Sequence, residues 1–209
     1  MVGTVPFLAT PIARLGAPSR AVTGPIARAI AGRARIEPAP GFDERHAEVT
    51  AEHAPPRRVW GSREVAELRW RFQRRPGVPY EIWNLVEKDR LVGFAVTRRM
   101  EIGQRDTLVV CDSWARDSST AMIPALLDRI LGGAAGERPD LAIVIASPTG
   151  TTGPRALLAA GMAPVPQRFL PQPVAVIGGP MQADRPADSW LRTGGLSEWH
   201  VTPYDWDVF

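Results

Sequence analysis

The sequence predicts an α/β protein in which helices cover both faces of a single mixed, largely antiparallel sheet. Three strand-like segments follow one another across short turns in the middle of the chain, segments with helical periodicity precede them, and helix-like and strand-like segments alternate after them. The 209 residues are 44% hydrophobic and 22% charged, which is enough apolar material for one core and too much for general disorder. We therefore expect one layered domain.

Two helices are predicted before the three strands. A short strand candidate begins at Ile36, and the segment Phe42 to His53 then combines apolar residues at helical spacing with acidic residues near its start. Pro55 and Pro56 interrupt the chain. A second helix is predicted from Ser62, a plausible N-cap, to Gln73. The residues that define the two apolar faces are Phe42, His46 and Val49 in the first helix and Val65, Leu68 and Phe72 in the second.

The central strands are predicted at Tyr80 to Glu87, Leu91 to Arg99 and Asp106 to Asp112. The turn Lys88-Asp89-Arg90 joins the first two into a hairpin, and a link through Gly103 leads to the third. Because the connections are short, all three strands should be antiparallel neighbours.

The second half predicts alternating helices and strands. A helix capped by Ser118 or Ser119 runs to Leu131, and the continuous apolar run Leu141 to Ala146 is typical of a strand buried on both faces. A short helix follows at Pro154 to Ala160. The last strand candidates are Val165 to Leu170 and Val174 to Ile177.

The two ends of the chain differ from this central region. Residues 1–34 are rich in Ala, Gly, Pro and Arg and are interpreted as an N-terminal arm, and residues 35–180 are interpreted as the domain. Residues 181–209 carry too many aromatic side chains for a free tail, so we expect this segment to pack on the domain. Its aromatic residues are Trp190, Trp199, Tyr204, Trp206 and Phe209.

Charge and cysteine content restrict the function classes. The pI of about 9.7 accompanies a formal net charge of only +3, because Lys88 is the single lysine and arginine does not titrate. Basic and acidic residues are interspersed, which argues against nucleic-acid binding. A lone Cys111 fits a reducing compartment, and no apolar run is long enough for a membrane helix. We expect a cytoplasmic protein without a membrane or nucleic-acid partner.

Two segments resemble a known family. The segment Glu67-Leu68-Arg69-Trp70-Arg71-Phe72, with Pro76 and Tyr80 downstream, looks like the Trp-Arg-Tyr motif of a bacterial branch of acetyltransferase-like proteins. Leu157 to Met162 is similar to the stretch that closes the fourth helix of Gcn5-related N-acetyltransferases (GNAT), and Trp199 with Asp205 and Asp207 resembles the end of the bacterial branch. The element order of residues 35 to 180 also resembles that of the GNAT fold.

The resemblance implies a cofactor, acetyl-CoA or another acyl-CoA, and an acceptor, a small-molecule amine. In the family the pantetheine pairs with the fourth strand and the pyrophosphate lies on amides at the next helix start, where unpaired N–H groups and the helix dipole favour an anion. The corresponding positions here are Val109, Val110, Cys111, Arg116, Ser118, Ser119, Thr120 and Ala121. The glycines that family members usually carry in this loop are replaced, and Asp117 would repel phosphate, so an N-capped helix without a ligand is the alternative.

Candidate catalytic residues are few. Asp112 ends the strand Asp106 to Asp112, which corresponds to the fourth strand of the family. It is the first candidate for a general base, and the alternative is a turn or cap aspartate. Glu81 and Glu87 are weaker candidates. The tyrosine that many family members use as general acid is replaced by Leu157 and Leu158.

His46, His53 and His200 show no metal-site spacing, so no metal is expected.

Two further features have a functional and a structural interpretation. Trp70 and Arg71 could line the acceptor cleft, with Arg71 binding an anionic group, or Trp70 could pack the helix on the sheet while Arg71 pairs with an acid. Cys111 could be a nucleophile, but a buried structural thiol is the simpler interpretation.

The sequence thus predicts an acyl-CoA-dependent N-acyltransferase that acts on a small amine by direct transfer. The alternative is a non-catalytic GNAT-like interaction or regulatory domain. Relatives in the bacterial branch often contain two acetyltransferase-like halves, which implies a homodimer or a partner acetyltransferase-like domain.

Overall fold

The protein is an α+β structure whose centre is a mixed sheet with two short helices on one side of it. The computed structural model describes residues 2–4, 7–11, 34–53, 62–116, 139–145, 162–165 and 175–177, together with residues 122, 125, 126, 129 and 157. The strands are β1 (Val2–Thr4), β2 (Phe7–Pro11), β3 (Arg35–Ala39), β4 (Glu81–Glu87), β5 (Arg90–Ile102), β6 (Arg105–Ala115), β7 (Leu141–Ile145), β8 (Ala163–Val165) and β9 (Ala175–Ile177). The helices are α1 (Glu44–His53) and α2 (Val65–Leu68), and α2 continues into a π-helical turn at Arg69–Gln73.

The main sheet has seven strands in the order β3-β4-β5-β6-β7-β2-β8. Only β6 and β7 pair in parallel; every other neighbouring pair in this sheet is antiparallel. The predicted mixed, largely antiparallel sheet is therefore confirmed for the described strands.

Two tight hairpins form the centre of the sheet. Lys88 and Asp89 join β4 to β5 with φ values of 48° and 61°, and Gly103 and Gln104 join β5 to β6 with φ values of 57° and 61°. Two successive residues with positive φ are what a two-residue turn needs to follow the twist of its strands. The three predicted central strands are confirmed, and β5 and β6 extend beyond their predicted ends.

A β-bulge interrupts the pairing of β5 with β6. Val96 lies opposite Asp112 and Thr97 lies opposite Val110, so Cys111 is the additional residue on β6. Three residues from the bulge the two strands approach closely: a Cβ atom on Gly93 would lie 2.8 Å from the carbonyl oxygen of Trp114. Glycine is therefore required at this point of β5.

The N-terminal segment contributes strands that the sequence analysis did not predict. β2 pairs with β7 from Phe7–Ile145 to Pro11–Leu141 and also with β8, while β1 and β9 form a separate two-stranded sheet. Residues 12–33 and the predicted C-terminal segment 181–209 lie outside the described residues.

Helix α1 begins with a network centred on Asp43. The carboxylate of Asp43 accepts a hydrogen bond from the backbone N–H of Arg45 (3.1 Å), and Nδ1 of His46 accepts one from the backbone N–H of Asp43 (3.1 Å). This reciprocal arrangement is that of a capping box, with His in the position usually taken by Glu or Gln. His46 is fully buried, and its Nε2 lies 3.0 Å from Oδ1 of Asn84 on β4. The helix start is thus connected to the sheet.

The second helix differs from its prediction at both ends. It begins at Val65 with Glu64 in the N-cap position and no side-chain capping bond, so the predicted N-cap Ser62 was wrong; the Ser62 hydroxyl instead accepts from the Glu64 N–H at 3.4 Å. Trp70 is 63% exposed, so the interpretation of Trp70 as a core residue was also wrong, whereas Phe72 is buried.

The sheet separates two apolar clusters. The helix-side cluster joins α1 and α2 to one face of the sheet, and its buried members are Phe42, Val49, Val65, Leu68, Phe72, Ile82, Val86, Leu91, Phe94, Val96, Val109, Cys111 and Trp114. The opposite cluster contains Leu85, Ala95, Leu108, Val110, Ala115, Met122, Leu126, Ala142, Val144, Leu157 and Met162. Met122, Leu126 and Leu157 of this cluster have helical conformation.

The described residues contain no helix that is long and apolar enough to cross a membrane. They also contain no group of three His, Cys, Asp or Glu side chains placed to hold a metal ion.

Candidate functional site

The candidate site lies where β6 passes beyond its parallel pairing with β7. That pairing runs from Thr107–Leu141 to Val110–Val144, and β6 then continues through the bulge to Ala115 while it remains paired with β5. The bulged residue Cys111 directly follows Val110, so the bulge lies next to Val110–Val144, the last described parallel pair. The two predicted cofactor positions Val109 and Cys111 face the helix-side cluster, and Val110 faces the opposite one.

Asp112, the predicted general base, is part of a buried ionic cluster. Its Oδ2 lies 3.2 Å from Nε of Arg63, and both side chains are fully buried. Its Oδ1 accepts hydrogen bonds from the indole Nε1 of Trp114 (3.1 Å) and from the backbone N–H of Ser113 (3.0 Å). The Arg63 guanidinium also lies 5.1 Å from the centre of a Trp114 ring, within cation–π range.

This environment gives Asp112 the contacts of a structural carboxylate. Four donor atoms from Arg63, Ser113 and Trp114 contact its oxygens within the described part of the chain. Because Asp112 is only 1% exposed, an incoming amine has no direct path to the carboxylate. The sequence offered no signal for the partner, because Arg63 precedes Asp112 by 49 residues.

Cys111 is a buried thiol. Burial, with a further effect of the Asp112 charge, raises the pKa of Cys111 to about 12, although the charges of Arg98 and Arg71 act in the opposite direction. Its Sγ lies 3.7 Å from the carbonyl oxygen of Val109. A thiol with this pKa carries almost no thiolate at neutral pH, which agrees with a structural role and not with a nucleophilic one.

Arg116 follows the last residue of β6 and contacts helix α1. Its side chain is 13% exposed, and its Nε lies 2.8 Å from Oε2 of Glu52, close enough for an ion pair although not aligned as a hydrogen bond. Glu52 also contacts Nη2 of Arg90 at 3.4 Å. The Arg116 side chain therefore lies on the helix side. The other predicted pyrophosphate positions, Ser118, Ser119, Thr120 and Ala121, lie outside the described residues.

Arg98 is a site feature that the sequence analysis missed. It lies on β5 opposite Val109, two residues from Val96 and Met100, which both belong to the helix-side cluster or pack on it. Its Nε is buried without a hydrogen-bond partner among the described residues. A buried donor without an acceptor costs about 1–3 kcal/mol in a folded protein. The missed signal is an arginine between apolar residues of a central strand, at a position where alternation predicts a buried side chain.

A separate open groove of about 520 Å³ lies at the edge of the sheet formed by β3 and the start of β4. Aromatic and proline side chains line most of it, including Pro38, Pro40, Phe72, Tyr80 and Trp83. Glu81, one of the weaker base candidates, lies in this groove, whereas Glu87 lies at the end of β4 beside the hairpin turn.

Comparison of the chain with protein-family models, with curated proteins and with solved structures found no match in any of the three, so the geometry of the site has to support the functional argument by itself.

Proposed function

We propose that this chain is an acyl-CoA-dependent N-acyltransferase of the GNAT type that acetylates or otherwise acylates a small amine by direct transfer. The observation that supports it most is the course of β6. This strand pairs in parallel with β7 up to Val110, carries a bulge at Cys111 and continues to Ala115. A bulge bends its strand and changes the direction of the following residues, which suits a gap between two parallel strands that a linear pantetheine chain could enter.

The surrounding layers support the same proposal. Helices α1 and α2 cover one face of the sheet, and helical residues such as Leu126 and Leu157 pack on the other. In the proposed complex the pantetheine lies along β6 near Val109, Val110 and Cys111. Its pyrophosphate lies at residues 116–121, where the sequence predicts a capped helix start whose backbone N–H groups and hydroxyls would be donors.

The proposed reaction is a simple acyl transfer. The amine nitrogen attacks the thioester carbonyl, the carbon–sulfur bond breaks, and coenzyme A leaves as a thiol after taking up one proton. The amine loses one proton in the same reaction, so no oxidant or further reactant is needed. Because Arg63 occupies the carboxylate of Asp112, we assign Asp112 a positioning role: it holds the bulge by hydrogen bonds to Ser113 and Trp114.

A second candidate function is a non-catalytic domain of the same fold that binds a second copy or a partner acetyltransferase-like domain. The occupied carboxylate of Asp112 and the high pKa of Cys111 favour it, because both residues lack the accessibility that catalysis requires. Exposed Trp70 is a suitable contact residue for such a partner, since tryptophan is enriched at the centres of interfaces.

The test is calorimetric titration of the purified protein with acetyl-CoA, compared with desulfo-CoA and with free pantetheine. Micromolar binding of acetyl-CoA, weakened at least tenfold by Ser119→Glu and unchanged by the exposed control Gln104→Glu, supports the transferase. The added carboxylate at Ser119 repels pyrophosphate, whereas Gln104 lies in the β5–β6 turn, away from the proposed site. Absence of binding at millimolar ligand overturns the transferase, and size-exclusion chromatography of the wild type and Trp70→Ala then tests the partner-binding alternative.

A further inference from the structure

The guanidinium group of Arg98 lies beside the bulge on the helix side of the sheet. Val109 is its neighbour across the strand pair, and Cys111 follows Val109 on the same face of β6. This face is also the one on which the π-helical turn of Arg69–Gln73 lies, through the buried Phe72. The neighbourhood is apolar: Val96, Val109 and Cys111 are each at most 3% exposed.

Arg98 has no anionic partner among the described residues of this neighbourhood. The carboxylate of Asp112, next to the bulge, is held by Arg63. The charge of Arg98 acts on the Cys111 thiol at the bulge. Among the described residues, Arg98 has neither an ion-pair partner nor an acceptor for its buried Nε–H. A buried N–H donor of a guanidinium is normally matched by an anion or a carbonyl oxygen, because leaving the donor unmatched forfeits its hydration without compensation.

We propose that Arg98 binds an anionic group of a small molecule, a carboxylate or a phosphate, on the helix side of β5 and β6 beside the bulge. The planar fork of arginine matches the two oxygens of either group, and low exposure strengthens such charge-assisted hydrogen bonds. The Arg98 side chain as a whole is half-buried, which leaves its site within reach of a small ligand from solvent.

The proposal also restricts the acceptor, and this part rests on the proposed function. The proposed function places the pantetheine along β6 at the bulge, so an acceptor bound to Arg98 would lie near the acyl end of the cofactor. The acceptor would then be an amine that carries an anionic group, such as an amino acid or an amine phosphate. A polyamine, which has no anion, would not satisfy Arg98.

The experiment follows the Arg98 Nε–H directly by ¹H–¹⁵N NMR during titration with inorganic phosphate and, separately, with L-glutamate and putrescine. The Arg98 signal is identified by its loss in Arg98→Gln. We expect phosphate or glutamate to move this signal saturably and putrescine to leave it unchanged. Arg98→Gln should weaken binding of the active probe at least tenfold, and Arg98→Lys, which keeps the charge and loses the fork, should fall between. Whichever anion binds more tightly identifies the group as carboxylate or phosphate.

Arg105→Gln is the matched control, because it removes the same charge from an exposed position at the start of β6. Equal weakening by Arg98→Gln and Arg105→Gln, or no saturable shift at tens of millimolar anion, overturns the proposal. The Arg98→Gln variant should fold, because it removes a buried donor that has no partner. If it does not fold, the titration of the wild-type Nε–H signal still shows whether an anion binds at Arg98. If acetyl-CoA itself shifts the Arg98 signal and abolishes phosphate binding, the cofactor occupies the anion site, and the assignment of this site to the acceptor is overturned. Arg98-dependent anion binding in a protein that does not bind acetyl-CoA supports the anion site and rejects the transferase.

Discussion

Arg63 and Asp112 form an ion pair in which neither side chain is exposed to solvent, with Nε of Arg63 3.2 Å from Oδ2 of Asp112. The pair connects the segment before α2 to the bulge in β6, two regions that are 49 residues apart in the chain. Each charge would be costly without the other, because burial removes the water that solvates it.

Removing either member alone should therefore be strongly destabilising. We expect Arg63→Met and Asp112→Asn each to lower the free energy of unfolding by about 3–5 kcal/mol, as for other broken buried pairs. Arg63→Met with Asp112→Leu should recover part of this loss, since no buried charge remains. Urea unfolding of the two single variants and of the double variant measures these changes in the free energy of unfolding. The control is Arg99→Met, which breaks the partly exposed pair with Asp106 and should cost less than about 1 kcal/mol.

The start of α1 should make stability depend on acid pH. A side-chain hydrogen bond from Arg45 lowers the pKa of Asp43 from 3.8 to about 2, partly opposed by burial and assisted by the charge effect of His46. The folded protein thus holds the ionised form more tightly than the unfolded chain does. This contribution is complete above about pH 5 and is lost as the pH falls towards 2.

Urea unfolding at several pH values tests this expectation with Asp43→Asn, which keeps an N-cap residue but has no ionisable group. The difference in unfolding free energy between wild type and variant should shrink as the pH falls from 5 to 2. A difference that is constant over this range would show that the Asp43 charge contributes nothing to stability.

Cys111 should be chemically inert in the folded protein. Its pKa of about 12 and its burial predict that DTNB labels it only when the protein unfolds. The rate in native buffer should follow the unfolding equilibrium, and complete labelling should occur in guanidinium chloride. Rapid labelling of the native protein would contradict the buried position of the thiol.

Trp70 and Phe72 are two residues apart but should differ sharply in their importance for stability. Trp70 is 63% exposed and Phe72 is buried against Phe42 and Tyr80. We expect Phe72→Ala to cost about 3–5 kcal/mol and Trp70→Ala to change stability by no more than about 0.5 kcal/mol. Thermal unfolding of both variants provides the comparison, and a large loss in Trp70→Ala would instead place Trp70 in a packed contact.

Much of the fold was predictable because its signals are local. The hairpin turns at Lys88 and Gly103 and the apolar run from Leu141 depend on neighbouring residues, and the corresponding strands are confirmed. The strand Phe7–Pro11 was not predicted, because it depends on pairing with β7, 130 to 138 residues away in the chain. The π-helical turn was also missed. The interpretation of Trp70 as a core residue rested on residue type, whereas its position two residues from both Leu68 and Phe72 puts it on the exposed face of the helix.

The site was less predictable than the fold. The order of elements in the sequence identified β6 and its neighbours as the region of the site. It could not show that Arg63 contacts Asp112 or that the Nε–H of Arg98 has no acceptor in the described part of the chain. Both facts depend on which distant side chains share a face of the sheet. Residue type alone suggested a base at Asp112, and its burial changes that interpretation.

The bulge at Cys111 also determines to which face of the sheet the later side chains of β6 point. Val109 faces the helices before the bulge, and Asp112 and Trp114 face the same side after it, although strict alternation from Val109 would have turned both away. Deleting Cys111 would place Asp112 directly after Val110 and restore strict alternation, so the Asp112 carboxylate and the Trp114 indole would still face the helices and Arg63 would keep its anion. The deletion would remove the bulge and, with it, the bend of the strand. A substitution of Cys111 keeps this bend, so at this position the length of the chain determines the course of β6 more than the identity of the residue does.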